Sequence, residues 1–499
     1  VEDTVDQKTK ILREKFGYQH FRPGQGEIID AVLDPNTYGV LGIMATGGGK
    51  SLLFQIPSLI YKRMTVVVSP LISLMKDQVD TLQKLGIEAQ FYNSSLKKKE
   101  KDAVMNSLQM GIVDILYVAP ERFDDASFIE LLVDLGVDLF AIDEAHCISS
   151  WGHDFRPAYT RLKQVIDRIG PKQVIALTAT ATPRVQDDIC MQLGIHNARR
   201  FIKGFYRDNL IVKIDDKAKG NARFDKVVNK VHGYHKKDIT TGVVYTATKK
   251  NAEMICERLQ NRGVNASFYH AGMKDSDRKE VQERWANEGG TIVATCAFGM
   301  GIDKPDVRFV IHVNMPGNLE SWYQEIGRAG RDGNPSVCQM YFGGDDIYLQ
   351  KFFIDMSNPE PDDVRQFWLW IHEVASHEDS FGDKVILKMT QQEMGEQCGS
   401  VQPSIISACI SALKKSGVVQ TIGRGAYKIQ LFENPYNAPI DYDSLRKKRQ
   451  EKMDRLNEMI NFVNDKNRCR FQHILGYFGD SMKSRCGKCD WCQKQDGRM

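Results

Sequence analysis

The segment Met44-Ala45-Thr46-Gly47-Gly48-Gly49-Lys50-Ser51 constrains this chain more than any other. An apolar run precedes it, and a helix-forming stretch, LLFQIPSLIY, follows it. Consecutive glycines let a backbone wrap an anion, with their N–H groups and the next helix N-terminus facing it. From such a loop Lys50 reaches β- and γ-phosphates, and the Ser51 hydroxyl suits Mg²⁺. Thr46, Gly47, Gly48, Gly49, Lys50 and Ser51 are therefore expected to cradle a nucleotide. The strict loop pattern has glycine where Met44 stands, so the strand–loop–helix context carries part of the case.

The second half of such a site is a carboxylate pair at a strand end. Asp143-Glu144-Ala145-His146 follows the apolar run Leu139-Phe140-Ala141-Ile142. Asp143 is expected to hold Mg²⁺ through water, and Glu144 to position or deprotonate the attacking water. Hydrolysis also needs positive charge at the γ-phosphate. Gln324-Glu325-Ile326-Gly327-Arg328-Ala329-Gly330-Arg331 supplies two arginines three residues apart, whose planar forks suit phosphate oxygens. They lie in a different α/β unit from the glycine loop, so an arginine finger acting across domains is expected.

Seven apolar runs read as buried strands: 65–68, 112–118, 139–142, 174–176, 242–245, 291–294 and 307–312. Runs without polar alternation suit parallel sheets covered on both faces. The expected class is α/β, with two such domains at 1–205 and 206–345, joined by a link around 205–222. Past 346 the strand–helix rhythm stops. Residues 361–378 are Trp-rich and helical in pattern. Residues 389–432 read helix, helix, then two short strands around Ile422-Gly423-Arg424-Gly425, a winged-helix pattern within a segment of 346–440. A long charged helix and a shorter one follow in 441–499.

Bulk properties add little. The net charge is only +3, although residues 441–499 hold 14 basic against 9 acidic side chains. No run of about 18 apolar residues suggests a membrane span, and the first residues, VEDTVDQKTKILREKFG, contain no apolar signal core. A soluble intracellular protein is expected. Of eleven cysteines, four form Cys469-x16-Cys486-x2-Cys489-x2-Cys492. Four thiolates at that spacing suit structural Zn²⁺ with no open position; an iron–sulfur cluster and redox cysteines remain open.

Together these segments resemble the RecQ family of superfamily 2 helicases over about residues 12–345. The stretch Phe16-Gly17-Tyr18-Gln19-His20-Phe21-Arg22-Pro23-Gly24-Gln25 looks like that family's adenine-recognition segment. The resemblance implies that Tyr18 and Arg22 cover the base and Gln25 bonds its edge, so ATP is the expected nucleotide. Val68–Met75, Val118–Arg122 and Leu177–Ala181 are similar to further family motifs. So are Tyr269–Gly272 and Ala297–Lys304, and the resemblance puts Asp303 near the nucleotide ribose. Directly after the carboxylates, Cys147–Pro157 resembles the family's aromatic-rich loop. Trp151 and Phe155 suit stacking on unpaired bases, Arg156 suits phosphate or stacking, and His153 is expected to orient the coupling to Glu144. The segment around Cys469 to Cys492 is similar to the family's zinc module.

The order at the C-terminal side departs from the family. There the zinc module directly follows the motor and a winged helix comes after it; here the winged-helix-like segment comes first, and few residues follow Cys492. Which element separates strands is thereby open, with Arg424 and Tyr427 as candidates for a pin and an ordinary hairpin turn as the alternative.

The resemblance implies an ATP-dependent 3′→5′ DNA helicase with Mg²⁺ and Zn²⁺, working in repair and recombination. Its partners would be single-stranded and forked duplex DNA and a single-strand-binding protein. A monomer is expected, cytoplasmic and nucleoid-associated in a bacterium or nuclear in a eukaryote. A translocase that remodels protein–DNA complexes, an RNA helicase and a DNA-binding scaffold with a degenerate site are the alternatives.

Overall fold

The computed structural model describes residues 2–152, 154–216, 220–296, 298, 304–378, 383–399 and 401–497. The chain forms two compact units, one of Val1–Phe342 with Asn464–Met499 and one of Gly343–Val463.

The first unit contains two parallel sheets. Across the seven-stranded sheet the order is Ala89–Tyr92, Ile115–Val118, Met64–Val68, Val137–Ile142, Gln173–Thr178, Gly39–Met44 and Arg199–Lys203. Every residue of Gly39–Met44, Val137–Ile142 and Gln173–Thr178 is buried, as their unbroken apolar character requires. The six-stranded sheet runs Ala266–Tyr269, Thr291–Ala294, Gly242–Tyr245, Phe309–His312, Ser336–Tyr341 and Leu210–Asp215. These are the RecA-like domains that the α/β rhythm predicts.

One expectation needs correction. The 205–222 segment is more than a link, because Leu210–Asp215 is the edge strand of the second sheet, paired along its length with Ser336–Tyr341. An edge strand has one neighbour, so its sequence, LIVKID, alternates and lacks the solid apolar signature of the central strands.

The Cys-rich end also belongs to the first unit. Helix Arg470–Tyr477 begins at Cys469, and helix Asp490–Gln495 begins at Cys489. Buried Arg470 pairs with Asp490 at 2.9 Å and ties the two helices together.

In the second unit, helices Pro361–Ser376, Gln391–Gln397 and Pro403–Lys415 pack with a three-stranded antiparallel sheet. Thr390 and Glu393 form a capping box that starts Gln391–Gln397. The hairpin Val419–Gly423 and Ala426–Gln430 appears where the winged-helix pattern places it, and Lys384–Lys388 adds a third strand. Arg424 is exposed at the hairpin turn. Tyr427 is not a pin candidate: it is 4% exposed and packs in the core with Ile429. A strand turns alternate residues to opposite faces, so Tyr427 and Ile429 both point inward. Among the described residues no helix is long and apolar enough to cross a membrane.

Candidate functional site

Strands Val137–Ile142, Gln173–Thr178 and Gly39–Met44 lie side by side and parallel. Their C-terminal ends therefore deliver Asp143-Glu144, Thr178 and the glycine loop to one edge of the sheet, where open α/β sheets bind ligands. Gly47 and Gly49 adopt left-handed φ of 78° and 77°, which glycine alone adopts without strain. Lys50 donates to the Met44 carbonyl at 3.3 Å. Burial lowers the pKa of its ammonium group, and neighbouring Glu144 and Asp143 oppose that shift.

Burial, reinforced by the adjacent Glu144 charge, pushes the Asp143 carboxyl well above the ordinary range, and Lys50 pulls it back. Glu144 has φ 48° and ψ 46°, a left-handed conformation for a residue with a side chain. Such backbone costs on the order of 1–3 kcal/mol and concentrates at functional sites. His146 Nδ1 sits 3.3 Å from Glu144 Oε2 and 2.8 Å from Thr178 Oγ1.

Arg22 and Gln25 engage the loop itself. Gln25 Nε2 donates to the Gly48 and Gly49 carbonyls, each at 3.1 Å, and its Oε1 accepts from the Arg22 backbone N–H at 2.8 Å. The Arg22 guanidinium donates to the Gly47 carbonyl. Tyr18 stands 55% exposed at the rim of the same cavity.

That cavity, about 810 Å³, reaches from Lys50, Asp143 and Glu144 across to Gln324, Arg328 and Arg331 in the second RecA-like domain. The two sides touch. A Cβ placed on Gly47 would lie 3.0 Å from Arg331 Cγ, and one on Gly327 would lie 3.0 Å from Thr46 Cβ. Arg207 braces the arginine turn by donating to the Gly327 carbonyl at 3.0 Å, and Asn209 donates to Gly330 at 2.8 Å. Nothing local in the sequence marks Arg207 and Asn209, because their partners lie about 120 residues away.

The aromatic loop folds back on the carboxylate turn: a Cβ on Gly152 would collide with the His146 carbonyl. Arg184 stacks on the Trp151 ring, and Phe155 is 41% exposed. Arg156 is anchored internally, to Asp154 at 3.2 Å and to the Pro70 carbonyl at 3.0 Å. His153 and Asp303 lie outside the described residues.

The four late cysteines converge. Their sulfurs lie within 4.8 Å of one another, with Cys486–Cys492 at 3.8 Å and Cys469–Cys489 at 3.9 Å. A tetrahedron of sulfurs around zinc, with Zn–S of ~2.3 Å, has edges of ~3.8 Å. Hydrogen bonds from Cys486 and Cys489 hold the Cys469 thiol far down, while the same contacts push Cys489 up. Four sulfurs at this spacing suit a tetrahedral metal ion, whose binding displaces the thiol protons.

Three protein families match in chain order. Residues 22–189 match the DEAD/DEAH box helicase family, 222–333 the helicase conserved C-terminal domain, and 432–493 the RecQ zinc-binding domain. The chain is 40% identical to the ATP-dependent DNA helicase RecQ of Bacillus subtilis (strain 168), over 91% of this chain and 78% of that protein. It is 31% identical to the probable ATP-dependent DNA helicase RecS of the same organism, over 97% and 90%. It is 44% identical to the RecQ helicase of Haemophilus influenzae, where the match spans 69% of this chain and 55% of that longer protein. In fold it is similar to the DUF1998 helicase MrfA bound to DNA, with TM-score 0.56, 17% identity and coverage of 87% and 60%.

Two RecA-like domains closing on one nucleotide cleft, with these family matches, define a helicase motor of the DEAD/DEAH-box class. The zinc-binding domain and the length of the B. subtilis matches narrow the class further. The chain belongs to the RecQ family of ATP-dependent DNA helicases.

Proposed function

We propose that this chain translocates 3′→5′ on single-stranded DNA and unwinds forked duplexes in repair and recombination, driven by ATP hydrolysis in the cleft between its RecA-like domains. The contact between Gly47 and Arg331 carries the reading, because it brings the phosphate loop and the arginine turn of separate domains onto one cavity. Thr46 to Ser51 cradle the phosphates, with Lys50 against their charge. Tyr18 covers the base; Arg22 and Gln25 hold the loop carbonyls from the base side. Asp303 is assigned to the ribose by family resemblance. Glu144 orients or deprotonates the attacking water. Arg328 and Arg331 stabilise charge on the transferring phosphoryl group, the usual work of an arginine finger. Ser51 and Asp143 would hold Mg²⁺, which neutralises phosphate charge when bound.

Trp151 and Phe155 stack on unpaired bases, with Arg156 and His153 orienting the loop. Occupancy reaches Glu144 through the Gly152–His146 contact. Cys469, Cys486, Cys489 and Cys492 hold structural Zn²⁺. The domain roles follow the boundaries 1–205, 206–345, 346–440 and 441–499. The chain acts as a monomer on nucleoid DNA in the bacterial cytoplasm, beside a single-strand-binding protein; the bacterial relatives and the family resemblance support this part of the proposal.

The test is strand displacement with ATP on 3′-tailed, 5′-tailed and blunt duplexes. Unwinding of the 3′-tailed substrate alone is expected. ATP hydrolysis stimulated by DNA without displacement of any strand would instead support a translocase, and stimulation by poly-U over poly-dT an RNA helicase.

A further inference from the structure

Helix Leu319–Ile326 is used on two sides. Ser321, Gln324 and Glu325 line the nucleotide cavity, and the helix runs directly into Arg328 and Arg331. Glu320 and Tyr323, three residues apart and so on one face, turn instead toward the zinc module. The Tyr477 hydroxyl donates to Glu320 Oε1 at 2.7 Å. Glu320 is 4% exposed, and its Oε2 has no hydrogen-bond partner among the described residues, so the Tyr477 hydroxyl is what satisfies this buried carboxylate there. Phe478 stacks on Phe205 at 4.8 Å and leans on Tyr323 at 5.3 Å, while the Tyr323 hydroxyl donates to the Phe205 carbonyl at 2.6 Å.

The zinc module also reaches the first RecA-like domain, through Phe478 and Gly479. Buried Gln186 donates to the Phe478 carbonyl at 3.3 Å, and a Cβ on Gly479 would lie 3.0 Å from Pro183. Phe205 itself begins the segment Phe205-Tyr206-Arg207 that joins the two domains, and Arg207 braces the arginine turn. Between them, Tyr477 and Phe478 therefore contact both RecA-like domains, whose relative placement brings Arg328 and Arg331 to the phosphate loop.

The geometry points to Tyr477 and Phe478 as positioning residues for ATP hydrolysis: through Glu320 and Tyr323 they hold helix Leu319–Ile326, and with it the arginine turn, at the register that hydrolysis needs. This rests on the functional reading above. The zinc module is then part of the motor's closing surface as well as a folded support. A hydrogen bond to a buried carboxylate is among the stronger kinds, and its loss leaves the carboxylate unpaired. Among the described residues no other donor meets Glu320, so the helix is expected to shift or tilt when Tyr477 loses its hydroxyl.

The test compares the full-length chain with Tyr477→Phe, Glu320→Gln and Glu320→Ala. Zinc stoichiometry, thermal midpoint, single-stranded DNA affinity, and kcat and KM for ATP at saturating DNA are measured for each. Tyr477→Phe and Glu320→Ala are expected to lower kcat about fivefold to tenfold, with KM for ATP, zinc content and DNA affinity unchanged. Glu320→Gln keeps an oxygen that accepts from Tyr477, so its kcat stays near that of the unaltered chain. Unaltered kcat in Tyr477→Phe and Glu320→Ala overturns the proposal. So does a loss of kcat that tracks zinc loss or a lowered midpoint in both variants, since that marks a structural role only. If the unaltered chain shows no DNA-stimulated hydrolysis, the functional reading itself fails, a result distinct from either of these.

Discussion

The imidazole of His146 bridges two strands' ends: its Nδ1 lies 2.8 Å from Thr178 Oγ1 and 3.3 Å from Glu144 Oε2. Thr178 also contacts the Thr180 segment through its own hydroxyl, which lies 3.3 Å from the Thr180 carbonyl. The aromatic loop packs on the His146 carbonyl through Gly152, so under the proposed function this imidazole passes movement of the loop to the carboxylate. His146→Ala is expected to leave ATP binding within about twofold and to cut DNA-stimulated kcat by about tenfold or more. Thr178→Val should show the same pattern, more weakly. Parallel measurement of nucleotide affinity and of hydrolysis with and without single-stranded DNA separates coupling from binding.

Lys50 and Glu144 should fail differently. Under the proposed function Lys50 meets the phosphates in both ground and transition states, so Lys50→Ala is expected to weaken nucleotide binding and abolish hydrolysis. Glu144 is assigned to the attacking water, so Glu144→Gln is expected to lower kcat by about a hundredfold or more while the nucleotide still binds. Titration with a fluorescent ATP analogue, set beside steady-state turnover, checks the contrast. Normal DNA-stimulated turnover in Lys50→Ala would remove the glycine loop from the site.

The thiolate tetrahedron predicts one zinc per chain and a strict need for all four sulfurs. Cys489→Ser is expected to lose the stoichiometric metal and to lower the thermal midpoint, since the binding energy of a structural site contributes directly to folding. Chelation of the unaltered chain should release zinc with proton uptake by the vacated thiols. Metal analysis with a pH-sensitive dye measures both. Retention of iron together with visible absorbance would instead identify a cluster.

The second unit has a pH-sensitive core contact. His372 is buried beside Trp368, and its Nε2 accepts from the Phe432 backbone N–H at 3.0 Å, which requires a neutral nitrogen there. Burial lowers its pKa from the ordinary 6.5. A depressed pKa means that the contribution to stability is fully present above about pH 6.5 and is lost as pH falls through the folded value. Unfolding of this unit should move to lower temperature between pH 7 and 5. His372→Gln, which keeps an acceptor and gains no proton, should flatten that slope in calorimetry. A slope equal to that of the unaltered chain would assign the dependence elsewhere.

The chain's own sequence determines its local elements and most of the chemistry. Gly47 to Ser51, Asp143-Glu144, the two arginines and the four cysteines are legible because short-range rules govern them: a strand ending in glycines, carboxylates at a strand end, and thiols two residues apart. Most central strands are legible because burial on both faces demands unbroken apolar runs; Ser336–Tyr341, a central strand whose run is interrupted by polar Gln339, is not. Leu210–Asp215 is not, since an edge strand bears no such demand, and Tyr427 misleads because facing direction depends on register.

Tertiary structure alone decides the rest. The contacts of Arg207 with Gly327, Gln25 with the loop carbonyls and Tyr477 with Glu320 join residues 120, 23 or 24, and 157 positions apart. No local propensity encodes such pairs. They exist because parallel strands deliver distant loops to one edge, and because the zinc module folds back onto the junction of the two RecA-like domains. The sequence carries the glycine loop and the arginine turn separately; only packing brings Arg331 against Gly47.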